Sequence, residues 1–179
     1  MSQIANTYAE ALYGLAKEEN LTDAILQQLQ VLGEVLENEP DFLRLMTAAN
    51  LSKEERCQIL DDSFRGKVEP YVLNFMKILT EKGYMRHFAD CVAAFRAAYN
   101  RDHGILPVKA VTAAPMTEDQ IARLTEKLAK ITGKTIDLQS SVDPSVLGGV
   151  RLDYDGKRVD GTVQSRLDTV SKLLKNTVL

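Results

Sequence analysis

The chain has 179 residues, enough for one domain or two small ones, and its 45% hydrophobic and 26% charged content is that of a globular protein. A formal net charge of −3 and the absence of Trp argue against a basic, stacking surface for bare nucleic acid. No run approaches the roughly 18 apolar residues of a membrane span, and the opening MSQIANTYAE has neither the basic nor the apolar region of a signal peptide.

In chain order, the first part reads as helix after helix. Ile4, Ala5, Tyr8, Ala9, Leu12, Leu15 and Ala16 recur at helical spacing. Thr22 is placed to cap a second helix with the stripe Ile25, Leu29, Leu32 and Leu36, which Pro40 breaks. Asp41 is placed to cap a short third helix carrying Phe42 and Met46. Ser52 and Glu55 form a capping-box pattern ahead of a fourth with Ile59 and Leu60. Pro70 suits the first turn of a fifth helix, which Gly83 ends. A sixth carries Phe88, Cys91, Val92, Phe95 and Tyr99. Short loops between six short helices predict a compact bundle.

The texture changes near His103 and Gly104. Residues 1–104 hold 11 Lys+Arg against 16 Asp+Glu, a charge of −5, and residues 105–179 hold 11 against 9, a charge of +2, which together restore −3. Beyond this point a strand is predicted from Ile105, then a helix capped by Thr117 and Gln120 and carrying Ile121, Leu124, Leu128 and Ile131. A strand KTIDLQSSV follows, then a hairpin in which Asp155 and Gly156 form the turn. Asp160 is placed to cap a last helix with Val163, Leu167, Val170 and Leu174. The fold class is therefore mainly α, an N-terminal six-helix bundle followed by a small α+β domain.

The candidate chemistry fails on spacing and context. TGKT at residues 132–135 ends like a phosphate loop, but Leu128 stands where the first glycine belongs and the run passes from helix to strand. An EF-hand loop starting at Asp153 would need glycine and glutamate where Arg158 and Gln164 stand, so no metal is expected. Asp143, Asp153, Asp155 and Asp160 read instead as turn, cap and solvent-facing residues. His87 and His103 meet no catalytic spacing, and Cys57 and Cys91 read as reduced, structural thiols. What remains is surface for partners. The first helix adds Ala11 and Tyr13 to its stripe, and YVLNFMKIL in the fifth is apolar nearly all round. Such helices are either fully buried or shared with a partner, for which a groove taking an amphipathic helix is the alternative. Small residues at Ala5 and Ala9 would let a guest helix approach closely.

Three segments in this order, YAEAL, NFMKILTEKG and VDPSVLGGVRLDYDGKRVDGTVQSRLDTVSKLL, carry a resemblance over nearly the whole chain. Its most specific part runs from Leu147, Gly148, Gly149 and Val150 through the hairpin to Asp160, Gly161, Thr162, Val163, Arg166 and Leu167. The chain resembles the delta subunit of F-type ATP synthases, the family of the oligomycin-sensitivity-conferring protein. GYMRHF departs from the family pattern, in which arginine commonly follows the glycine directly, and leaves the end of the fifth helix open.

The resemblance implies a non-catalytic stator subunit of the peripheral stalk, with no cofactor. Residues 1–104 would bind the N-terminal helices of the alpha subunits of the catalytic head, through Ala5, Tyr8, Ala9 and Leu12 of the first helix and Asn74, Phe75, Ile78 and Leu79 of the fifth. Residues 105–179 would bind the C-terminal ends of the b subunits, through Val163, Arg166, Leu167, Val170 and Leu174. It implies a peripheral place on the cytoplasmic face of a bacterial plasma membrane, as part of the complex. Two other classes stay in view: an enzyme or nucleotide-binding protein built on TGKT, and a general helical adaptor.

Overall fold

The computed structural model describes residues 3–48, 50–146 and 148–161. The chain divides into two compact units, Met1–Tyr99 and Asn100–Leu179, a boundary a few residues before the one drawn from sequence. The architecture is mainly helical with a small four-stranded sheet. The expected last helix lies outside the described residues.

Unit 1 contains α1 (Gln3–Glu18), α2 (Thr22–Asn38), α3 (Pro40–Thr47), α4 (Lys53–Phe64), α5 (Pro70–Glu81), a 3-10 turn at Met85–His87 and most of α6 (Phe88–Asp102). Two starts differ from expectation. Thr22 is the first residue of α2, and the Leu21 carbonyl accepts the first bond, from the Ile25 N–H at 2.9 Å. Pro40, not Asp41, opens α3, because the fixed φ of proline and its missing N–H suit a first turn. The α4 start is as read: the Glu55 N–H donates to Ser52 Oγ at 3.1 Å and the Ser52 N–H to Glu55 Oε2 at 2.8 Å. After α5, GYMRHF forms the 3-10 turn, which buries Met85.

The stripes read from sequence meet in one core that includes Ala5, Ala9, Leu12, Ile25, Leu29, Leu60, Val72, Phe75, Leu79 and Phe95. Tyr13 packs edge-on against Phe95, with ring centroids 5.3 Å apart. Lys77 Nζ of α5 reaches Asp61 Oδ2 of α4 at 2.6 Å, with both side chains largely covered. Its hydrogen bond, aided by Arg65, holds the Asp61 carboxyl below the usual carboxylate value.

Unit 2 contains β1 (Ile105–Thr112), α7 (Glu118–Thr132), β2 (Thr135–Val142), β3 (Val150–Tyr154) and β4 (Lys157–Asp160), with strand order β2-β1-β3-β4. β1 and β2 are parallel and joined through α7, while β1–β3 and β3–β4 are antiparallel. Leu106, Val108 and Ile136 form the core of one sheet face, with Leu128 and Ala129 of α7 and Leu152 and Tyr154 of β3 packed against them. Thr117 and Gln120 make the expected capping box at the start of α7. In the β3–β4 turn Asp155 has φ +49° and Gly156 φ +71°, the left-handed pair that a two-residue hairpin requires.

Candidate functional site

The motifs weighed as chemistry take structural positions among the described residues. Gly133, at φ +66°, closes α7, and its N–H donates to the Ala129 carbonyl at 2.8 Å. TGKT is thus a helix C-cap leading into β2, with no helix N-terminus behind it to hold a phosphate. Among the described residues, no group of three His, Cys, Asp or Glu side chains is placed to hold a metal.

The aspartates of the hairpin are engaged with their neighbours. Asp143 accepts from the N–H and the hydroxyl of Ser145, at 3.0 and 2.6 Å. Asp153 does not simply face solvent as read: Arg158 Nε donates to it at 2.6 Å, and Arg151 Nε lies at 3.7 Å. The cause is register, since a two-residue turn sets Asp153 opposite Arg158 on β4 and β3 pairing sets it opposite Lys109 of β1. The Arg158 guanidinium holds the Asp153 carboxyl below its usual range. A depression of about 560 Å³ opens here, lined by Lys109, Gln139, Asp153, Lys157 and Arg158 among others. Its one strongly engaged carboxylate is already neutralised, which suits a structural surface better than proton transfer.

The α1 and α5 side chains expected to meet a partner divide into buried and exposed sets. Proximities at their ends show that the two helices run antiparallel. At one end the charge of Glu19, just past α1, reaches Tyr71 in the first turn of α5 and pushes its phenol above the ordinary value. At the other, Tyr8 of α1 meets Tyr84, beyond α5, edge-on at 6.0 Å. Of the eight residues expected to meet a guest helix, Ala5, Ala9, Leu12, Phe75 and Leu79 are buried in the bundle core. Ala5 and Ala9 are fully covered, so their small size serves the close packing of the bundle itself. Tyr8 is partly exposed, Asn74 is exposed, and Ile78 is 43% exposed. Leu15 of α1, at 37% exposure, adds apolar surface that the sequence reading had assigned to the stripe. Tyr84 and Glu19 were not singled out from sequence. Both lie beyond helix ends, where periodicity carries no signal.

The second set, Val163, Arg166, Leu167, Val170 and Leu174, lies outside the described residues. The strand leading to it ends at Asp160, where the Gly161 N–H donates to the Val150 carbonyl at 3.0 Å.

Comparison with known proteins gives a concordant picture. The family model described as ATP synthase delta (OSCP) subunit matches residues 4–174. The chain is 31% identical to the ATP synthase subunit delta of Clostridioides difficile, over 98% of this chain and 97% of that protein. It is also 31% identical to the ATP synthase subunit delta of Lactobacillus gasseri, over 96% and 94% of the two chains. Among solved structures, a chain of the Toxoplasma gondii mitochondrial ATP synthase hexamer matches 97% of this chain and 98% of its own length, with a TM-score of 0.76 at 21% identity, a likeness of fold.

Proposed function

The chain belongs to the ATP synthase delta (OSCP) family, and from that premise we propose how its two units divide the work of a connector. It is a non-catalytic stator subunit of an F-type ATP synthase, a component of the peripheral stalk. Unit 1 holds the N-terminal helices of the alpha subunits on the α1/α5 face. Tyr8, Asn74 and Ile78 make the contact, and Ala5, Ala9, Leu12, Phe75 and Leu79 form the rigid floor beneath. Unit 2 holds the C-terminal ends of the b subunits through the segment carrying Val163, Arg166, Leu167, Val170 and Leu174. The bacterial relatives support a place on the cytoplasmic face of a bacterial plasma membrane, reached through the complex. Among the described residues no helix is long and apolar enough to cross a membrane.

The mechanical logic needs no reactive group. Rotation inside the catalytic head exerts torque on it, and an unanchored head would turn with the rotor. Ion flow would then do no chemical work. A connector prevents this by binding both the head and the stalk.

The observation that carries the unit 1 assignment is the exposure of Leu15 on α1 and Ile78 on α5, two helices whose other apolar side chains lie in one buried core. Solvated apolar side chains contributed by two helices fit the apolar stripe of an amphipathic helix. The test is a calorimetric titration of the full chain with a synthetic peptide of the alpha subunit's N-terminal helix, repeated with Ile78→Asp. Binding that Ile78→Asp abolishes, with its thermal unfolding unchanged, supports the assignment. Equal binding by both proteins removes the α1/α5 face as the site.

A further inference from the structure

Among the described residues the sheet of unit 2 ends in two edge strands, β2 and β4, and they are built differently. β4 is four residues long and exposes Lys157 and Arg158, and a short, cationic strand deters pairing with another chain. β2 runs eight residues, Thr135–Val142, with no proline, no lysine or arginine, and Asp137 as its one charge. Gln139, Ser140 and Val142 are exposed along it, Val142 at 49%. A long edge without such protection offers its backbone as a template for a further strand.

The direction of the β2 backbone follows from its two ends. The Thr135 N–H donates to the Gly104 carbonyl at 3.0 Å and the Asp143 N–H to the Thr112 carbonyl at 2.9 Å. Backbone groups alternate in direction along a strand, so Thr135, Asp137, Gln139 and Ser141 turn theirs toward β1, with which β2 pairs over its full length. Ile136, Leu138, Ser140 and Val142 turn their N–H and carbonyl groups outward. A second β2, antiparallel and related by a twofold axis, satisfies these groups only when outward residues face outward residues. The register centred on Gln139 matches the whole set, with Ile136 facing Val142 and Leu138 facing Ser140. Ile136 and Val142 share one face of the sheet, so apolar meets apolar. Asp137 faces Ser141, so no two carboxylates are opposed.

We propose that the β2 edge is a self-association surface, on which a second copy of this chain lays its own β2 antiparallel, centred on Gln139, to make one continuous sheet. A single pair of edge strands is small against the roughly 1,200 Å² at which stable interfaces begin, so the dimer is weak and belongs to the free subunit at high concentration. It covers an edge that would otherwise template pairing with unrelated chains. The inference stands apart from the α1/α5 face and from the segment assigned to the stalk.

The test is analytical ultracentrifugation of the full chain over a wide range of concentration, with thermal unfolding of each variant alongside. At position 139 the two copies meet as a non-hydrogen-bonded pair, where side chains come closest, so like charges there oppose the dimer. Gln139→Lys and Gln139→Glu are each expected to weaken self-association about fivefold at low salt, and an equimolar mixture of the two to recover it as a mixed dimer. Gln139 is exposed, so neither change threatens the fold. Ser140→Pro removes an outward N–H while leaving the bonds to β1, and is expected to keep the chain monomeric. Should Ser140→Pro unfold, the charge variants alone decide. A chain that stays monomeric throughout, a dimer that survives Ser140→Pro in the folded state, or charge variants whose mixture associates no better than either alone overturns the proposal.

Discussion

Ile78→Ala separates recognition from folding more cleanly than any other substitution on α5. Full burial of an isoleucine side chain is worth about 1.5–3 kcal/mol. Ile78 is 43% exposed, so about 0.6–1.3 kcal/mol of that burial is still available to a partner. Truncation to alanine should therefore weaken the alpha N-terminal peptide about three- to ninefold. The adjacent residue behaves in the opposite way. Leu79 is fully buried, and Leu79→Ala should cost about 2–5 kcal/mol of folding free energy, so any loss of binding there is confounded. Ala9→Arg is confounded for the same reason, since the arginine has no space in the core. The assay is calorimetric titration of full chains beside thermal unfolding of each. Val31→Ala is the control, a 54% exposed valine on α2. The reasoning is refuted if Val31→Ala weakens the peptide as much as Ile78→Ala, or if Ile78→Ala binds as tightly as the unaltered chain.

Three further outcomes follow from the interior and the hairpin. The folded Asp61 carboxyl titrates below its ordinary value, so the Lys77 pair stabilises fully above that value and fades as pH falls through the folded one. Urea unfolding of Lys77→Met should thus show a deficit that is widest above the ordinary carboxylate value and closes as pH falls below it; a deficit independent of pH would exclude the pair as its source. Burial pushes the Cys91 thiol up to about 11, and burial followed by Glu81 raises Cys57, which is only partly covered. A thiol reagent at neutral pH should label Cys57 in the native chain and Cys91 only in denaturant, and equal rates at both would contradict the buried position of Cys91. Gly156→Ala forces a side chain into φ +71° and should cost about 1–2 kcal/mol, read as faster hydrogen exchange in β3 and β4, whereas Asp155→Asn should leave exchange unchanged. Unaltered exchange in Gly156→Ala would show that the turn relaxes without strain.

Local signals in the sequence were the legible ones. Ser52 with Glu55, Thr117 with Gln120, Pro70 and the Asp155–Gly156 turn each declare themselves within four residues, and all are found where they were read. The caps read at Thr22 and Asp41 were misplaced. Thr22 is the first helical residue of α2, with Leu21 at the cap position, and Glu39 stands at the cap position ahead of Pro40 in α3. The surplus apolar residues of α5 were visible, but their fate depends on which helices surround α5. Leu73 is buried, Tyr71 is half-covered and Ile78 is open, a division that no periodicity within one helix decides. The Asp153–Arg158 pair was within reach, because a two-residue turn already fixes its register. It was missed because each aspartate was assigned a local role on its own.

The modest apolar area of the α1/α5 face bears on how such a connector holds. The open shares of Leu15 and Ile78 amount to about 1–2.5 kcal/mol of burial, against roughly 8 kcal/mol for a micromolar complex. On that reading Tyr8 and the neighbouring Tyr84 supply further contact, and association itself has a cost. A single grip of this kind releases readily when isolated. In the proposed arrangement, however, the chain holds the head at one unit and the stalk at the other. Once one end is bound, the second faces its partner at an effective concentration set by the assembly, which raises overall affinity by about 10²–10⁴ without new contacts. The isolated peptide should therefore bind unit 1 far more weakly than the head holds the whole subunit. The bundle core can then be built for rigidity, since affinity need not come from a large exposed apolar patch that would make the free subunit aggregate.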